Sequence, residues 1–166
     1  MPEGATIELD VPKTDPAIIS RNIRLFFQGS GVFFQRSGKT IRKLILRGII
    51  EFDWSTLGEY CINVVELELI RCTLGERSLT FISQCAFLRC LQLQSCPSDG
   101  SSSDYNLAPC KSLLFIEIAS SRADINVNYF LRVFQLVTAA VEVISVETPN
   151  FNIQSELATP ISRLST

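Results

Sequence analysis

Cys61-Ile-Asn-Val-Val-Glu-Leu-Glu-Leu-Ile-Arg-Cys72 and Cys85-Ala-Phe-Leu-Arg-Cys-Leu-Gln-Leu-Gln-Ser-Cys96 are two copies of one phrase. Each opens on a cysteine, places apolar residues at the fourth, seventh and ninth positions, and closes on a cysteine. Reading outward, the same spacing recurs before the pair as Ile41, Leu44, Leu46, Ile49. After it come Leu113, Ile116, Ile118, Ser121 and then Val141, Ile144, Val146, Pro149. The copies start at residues 41, 64, 88, 113 and 141, so successive intervals are 23, 24, 25 and 28 residues. Self-similarity at this period is the sequence signature of a stacked repeat. A degenerate opening copy is expected at Ser20, Ile23, Leu25, Gln28, where a terminal repeat faces solvent on one side.

Within each copy the apolar residues alternate with other types, which predicts a short strand with leucine-type residues inward and the intervening ones outward. Between strands the apolar spacing turns helical. Trp54, Leu57 and Cys61 fall on one helical face, as do Leu79, Ile82 and Cys85, and Leu131, Phe134 and Thr138 continue the theme. A strand and a helix of this size cannot bury an apolar face alone, so the units must stack, with their strands side by side in parallel. The expected fold is therefore α/β: a leucine-rich-repeat solenoid, or horseshoe, with a parallel concave sheet and convex helices. It should run over residues 20–151, preceded by an N-terminal segment 1–19 and followed by a tail 152–166. Residues 97–109, PSDGSSSDYNLAP, are rich in turn formers and read as a loop. Within it Ser101 to Ser103, beside Asp104, are candidates for phosphorylation.

The cysteines follow the same register. Cys61, Cys85 and Cys110 each stand three residues before a repeat start, and Cys72 and Cys96 close their strands. A small thiol can pack in the interior there while its S–H meets a backbone group at the turn. A zinc cluster or a disulfide framework is disfavoured, because equivalent residues lie at least one strand spacing apart and no C-x-x-C pairing occurs. Cys90 alone falls at an outward position and is the thiol expected to react first, although no histidine is present to activate it.

The exclusions are as informative. The chain contains no histidine, which removes the commonest general base and the commonest neutral metal ligand, so no catalytic or metal site is expected. Gly38-Lys39-Thr40 ends like a phosphate-binding loop, but Phe33 stands where that loop requires glycine. No cofactor and no small-molecule substrate are expected. A net charge of -2 gives no electrostatic footprint for nucleic acid or an anionic membrane. The most apolar long stretch, 129–146, is interrupted by Arg132, Gln135 and Glu142, so no membrane span is expected. Residues 1–10 lack the apolar core of a secretory signal, and a cytoplasmic or nuclear protein is expected. With 46% hydrophobic and 19% charged residues and a mean hydropathy of +0.24, the chain suits a packed domain.

The stretch from Gly38 to Cys96 resembles the cysteine-containing leucine-rich repeats of F-box proteins. The two quoted phrases match that family's C-x-x-L-x-x-L-x-L-x-x-C, and weaker likeness runs on to about Pro149. The resemblance implies a curved surface whose concave face receives a protein partner, in the family often a substrate of a ubiquitin ligase. In such a solenoid the outward positions line that face in three columns: Asn22, Lys43, Glu66, Cys90, Phe115, Val143; then Arg24, Ile45, Glu68, Gln92, Glu117, Ser145; then Phe26, Arg47, Ile70, Gln94, Ala119, Glu147. The face is expected to be basic at its start, through Arg24, Lys43 and Arg47, and acidic afterwards, through Glu66, Glu68, Glu117 and Glu147. Ile45, Ile70 and Phe115 are candidate apolar anchors, with Gln92 and Gln94 between. That mixture suits a protein or peptide partner. The plain alternative is a solvated face whose charges pair across strands, Lys43 with Glu66 for example. Two functions compete: a binding module, which the resemblance narrows to a substrate-recognition or adaptor element related to ubiquitin ligases, and a structural factor docked permanently in a larger complex.

Overall fold

The computed structural model describes residues 5–10, 38–48, 54–99, 107–120, 132–149 and 151–156. They form an α/β architecture around one seven-stranded sheet whose strands lie side by side in chain order. The strands are β1 (Ala5–Asp10), β2 (Ile41–Arg47), β3 (Glu66–Ile70), β4 (Cys90–Gln94), β5 (Phe115–Ala119), β6 (Val143–Thr148) and β7 (Phe151–Glu156). The first six run parallel, and β7 pairs with β6 antiparallel. Two helices, α1 (Trp54–Tyr60) and α2 (Glu76–Gln84), fill the first two crossovers of the β2–β4 region. Arg132 to Phe134 make a single helical turn before β6.

The pairing is in the register that the repeat predicts. Leu44, Leu67, Leu91, Ile116 and Ile144 are successive partners, and so are Leu46, Leu69, Leu93, Ile118 and Val146. All ten are at most 4% exposed. They join Trp54 and Leu57 of α1 and Leu79, Phe81 and Ile82 of α2 in one core. The rings of Trp54 and Phe81 lie 5.8 Å apart and tilted, an arrangement that suits aromatic packing between neighbouring helices. One face of the sheet is thus closed by helices and crossovers, and the alternation of the strands leaves the outward residues on the other face.

Backbone bonds at equivalent positions tie each unit to the next. Where each strand ends, the N–H groups of Gly48, Arg71, Ser95 and Ser120 donate to Ile70, Gln94, Ala119 and Glu147 of the following strand, at 2.7 to 2.8 Å. Three of these four residues have positive φ: Gly48 at 69°, Arg71 at 53° and Ser95 at 51°. Only glycine takes that conformation freely, and a side chain there costs about 1 kcal/mol or more. The turn nevertheless extends the ladder by one bond and points the chain back toward the core. Three residues beyond Arg71 and Ser95, Leu74 and Ser98 form a further parallel bridge, so these adjacent units are stitched twice.

Three expectations are corrected. The first strand of the sheet is Ala5–Asp10, within the stretch read as an N-terminal segment, with Ile7 and Leu9 in register with Leu44 and Leu46. Its distance from the next copy lies far outside the repeat interval, which is why a period search passes over it. The copy at Ser20 to Gln28 lies outside the described residues. At the other end, Phe151–Glu156 does not trail as a tail but turns back as β7, with Ile153 opposite Val146. Joined to β6 through residues 149–150, it makes a hairpin that gives β6 a neighbour on its outer edge. Before β6, finally, the inward residues are Val133 and Leu136, with Phe134 only half-buried, in place of the expected Leu131, Phe134, Thr138 pattern. A single turn leaves too little helix for that spacing to act; Leu131 is outside the described residues.

Gly38-Lys39-Thr40 forms a short 3-10 turn leading into β2. Gly38 is buried there, and a Cβ on it would sit 2.7 Å from the Tyr60 carbonyl oxygen at the end of α1. The glycine serves close backbone packing. Gly38→Ala should therefore lower stability by about 1–3 kcal/mol through overpacking, read as a lower urea midpoint. Leu91→Arg, which buries an unpaired cation between β3 and β5, should cost more than about 4 kcal/mol. A urea midpoint for Leu91→Arg equal to wild type would contradict the register.

Candidate functional site

The outward positions of the strands form the accessible surface of the sheet. In the first column Lys43, Cys90, Phe115 and Val143 are half-buried and Glu66 is exposed. The middle column holds Ile45, Glu68, Gln92, Glu117 and Ser145, and the third Arg47, Ile70, Gln94, Ala119 and Glu147. Gln94 and Glu147 are exposed; Glu68, Gln92, Glu117, Ser145, Arg47 and Ala119 are half-buried. The structure therefore brings together, on one face, every candidate contact residue except Arg24, which lies outside the described residues.

The start of the face differs from expectation. The register neighbours of Lys43, Ile45 and Arg47 in the first strand are Thr6, Glu8 and Asp10. Acidic residues thus occupy the two positions where Arg24 and Phe26 were expected, and Lys43 and Arg47 each have one acidic register neighbour, Glu66 and Asp10. Ile45 and Ile70 are corrected as well. They are only 9% and 6% exposed, so they are buried within the chain and do not stand open as anchors. Phe115 is half-buried, and with Cys90 and Val143 it makes an apolar run across three adjacent strands.

Two contacts organise the charges. Lys43 Nζ lies 3.1 Å from Glu66 Oε2, with both side chains well exposed. The Glu66 carboxylate, by hydrogen bond and by charge, holds the Lys43 ammonium above the ordinary lysine value. An exposed pair of this kind is worth under about 1 kcal/mol, so it organises the surface more than it stabilises the fold. Gln92 Nε2 donates to Glu117 Oε2 at 2.8 Å, across the β4–β5 pair in the middle column.

The cysteines are reduced thiols and sit as the register requires. The Cys72 thiol donates to the Leu46 carbonyl at 3.3 Å, and the Cys96 thiol to the Leu69 carbonyl at 3.1 Å. Leu46 and Leu69 are themselves partners, so the two bonds are one device repeated. Cys85 donates to the Phe81 carbonyl at 3.3 Å and Cys110 to the Ile82 carbonyl at 3.4 Å, which ties the ends of crossovers to α2. Burial pushes the thiols of Cys61, Cys85 and Cys96 up to about 12 and that of Cys110 up to about 11. Cys90 is also raised, first by burial and then by the neighbouring Glu66, with Lys43 opposing. Among the described residues no group of three or more His, Cys, Asp or Glu is placed to hold a metal ion, and no helix is long and apolar enough to cross a membrane.

Two surface residues escaped the sequence reading. Phe87 is 54% exposed and Ile62 41%, both in the turns that lead into strands. The position of Phe87, one residue before the repeat start, is held by Asn63 and Ser112 in the neighbouring units. Those two donate to the Lys39 and Ala86 carbonyls of the preceding unit, at 2.9 and 2.8 Å. An aromatic residue in a column of hydrogen-bonding ones was the available signal. In comparisons with protein-family models, with curated proteins and with solved structures, nothing matches this chain.

The thiols supply two measurable consequences. A thiol reagent should modify Cys90 in the native protein first, while the other five wait for unfolding; early labelling of Cys72 or Cys96 would contradict the buried ladder. Because burial raises the folded-state values of Cys61, Cys85 and Cys96 from 9.0 to about 12, their contribution to stability is complete below pH 9.0 and is lost as pH climbs toward 12. The urea midpoint should fall over that window, and Cys85→Ala should make the fall shallower. An unchanged slope would remove the buried thiol as its cause.

Proposed function

We propose that this chain is a leucine-rich-repeat solenoid whose concave sheet face holds a protein partner. The observation that carries the reading is the asymmetry of the sheet. One face is closed into a core by α1, α2 and the crossovers, while the outward positions of β2–β6 on the other, Ile45 and Ile70 excepted, remain accessible. Their mixture of carboxylates, amides, one ammonium, one guanidinium and the Cys90, Phe115, Val143 run is the chemistry of a protein-recognition surface. The narrower proposal, substrate recognition or adaptor work related to ubiquitin ligases, rests on the resemblance of the cysteine-bracketed repeats to those of F-box proteins.

Burial of Ile45 and Ile70 favours a partner that comes and goes over one docked permanently. It removes two large apolar groups from the face, and obligate interfaces are more hydrophobic than this remainder. A photo-crosslinking residue placed at Gln94, exposed on the face, should capture a discrete partner in the native cell, and the same residue at Glu76, exposed on α2, should not. Ubiquitin-ligase subunits among the Gln94 products would support the narrower proposal. Equal capture from both positions would overturn the assignment of the face.

A further inference from the structure

The centre of the open face combines two features that call for the same chemical group. Glu68 and Glu117 occupy the middle column two strands apart, about 10 Å from each other at the usual strand spacing. Lys43 engages Glu66, whereas neither Glu68 nor Glu117 has a cation at ion-pair distance among the described residues. Gln92 holds one oxygen of Glu117 in place and leaves Oε1 without a partner among the described residues. On the same strand as Glu117, one outward position away, Phe115 stands half-buried. Its apolar neighbours Cys90 and Val143 flank it on adjacent strands.

An aromatic ring beside carboxylates, one of them held by Gln92, suits a guanidinium better than any other side-chain group. The planar cation stacks on a ring face and at the same time offers forked N–H donors to a carboxylate. A lysine ammonium satisfies the charge but is more strongly hydrated and cannot make the fork. Resting on the reading that this face binds a protein, we propose that Phe115 with Glu68 and Glu117 takes an arginine side chain from an extended, basic segment of the partner. The exposed Glu147 carboxylate, on the same face in β6, favours the approach of such a segment and disfavours an acidic one.

The test uses the full chain and a fluorescein-labelled octapeptide alternating arginine and valine, followed by fluorescence anisotropy at low salt. Two companions carry lysine or glutamate in place of arginine. The arginine peptide should bind at least about threefold tighter than the lysine peptide, and the glutamate peptide should not bind. Glu68→Gln combined with Glu117→Gln should weaken the arginine peptide about tenfold or more, and the double reversal to lysine should abolish binding. Phe115→Leu should erase the preference for arginine over lysine, and Glu76→Gln on α2 should change nothing. Urea midpoints establish that each variant is folded; the glutamine pair, at surface positions, decides the matter should Phe115→Leu fail to fold. Equal binding of the arginine and glutamate peptides, or a glutamine pair that binds like wild type, overturns the proposal. If crosslinks from Gln94 persist in that case, only the arginine specificity falls; if they are absent too, the face itself is not the binding surface.

Discussion

The strands β2 to β6 bury chiefly one of their faces, and each is too short to close that face by itself. The constraint that organises the molecule is therefore lateral: a strand must find a neighbour in register, with its leucine-type residues at the same height. The parallel ladder from β1 to β6 meets this requirement and places Leu44, Leu67, Leu91, Ile116 and Ile144 in one line and Leu46, Leu69, Leu93, Ile118 and Val146 in another. A slip of one residue would turn every one of these side chains to the open face. The helices, the turns and the hairpin at the end are arranged around the preservation of that register.

The buried thiols belong to the same device. After β3 and β4 the chain leaves the sheet through a residue of positive φ, Arg71 or Ser95, and the next residue enters the core beside a carbonyl of the preceding unit. Cys72 and Cys96 answer both needs, being small enough to be buried and able to offer an S–H to Leu46 or Leu69. Serine in that place would bring a stronger donor at a greater desolvation cost, and alanine would leave the carbonyl unanswered. The upward shift of Cys96 is the chemical trace of that role: a thiol held neutral is a packing group with a weak donor and not a nucleophile.

The open face follows different physics from the core. Its side chains are constrained by parity to one side of the sheet but not by volume, so they are free to carry specificity. Part of that freedom is spent on mutual contacts, Lys43 with Glu66 and Gln92 with Glu117, which order these side chains in the free protein. Pre-ordered side chains lose less freedom on association, which favours affinity without a larger buried area. The apolar run through Phe115 lies beside the carboxylates and not in a patch of its own, which would suit the proposed recognition surface by keeping it hydrated.

The strands β2 to β6 and the side of the sheet on which each residue lies were legible in the sequence, because period-two alternation inside a repeat of about 24 residues is a local signal and parity is fixed once a strand is recognised. The same locality made the cysteine register legible. The first strand was not, since its Ile7 pairs with Leu44, 37 residues later, outside the 23 to 28 of the repeat. Nor was β7, whose alternation is present in Phe151–Glu156 but whose antiparallel return depends on finding the free edge of β6. Sequence likewise placed Ile45 and Ile70 on the open face without revealing that they are buried there, and it assigned Arg24 to a column in which the described first strand carries Glu8. Parity is a property of neighbouring residues along the chain; burial and strand partnership are properties of what the rest of the chain brings against them, and only the tertiary structure decides those.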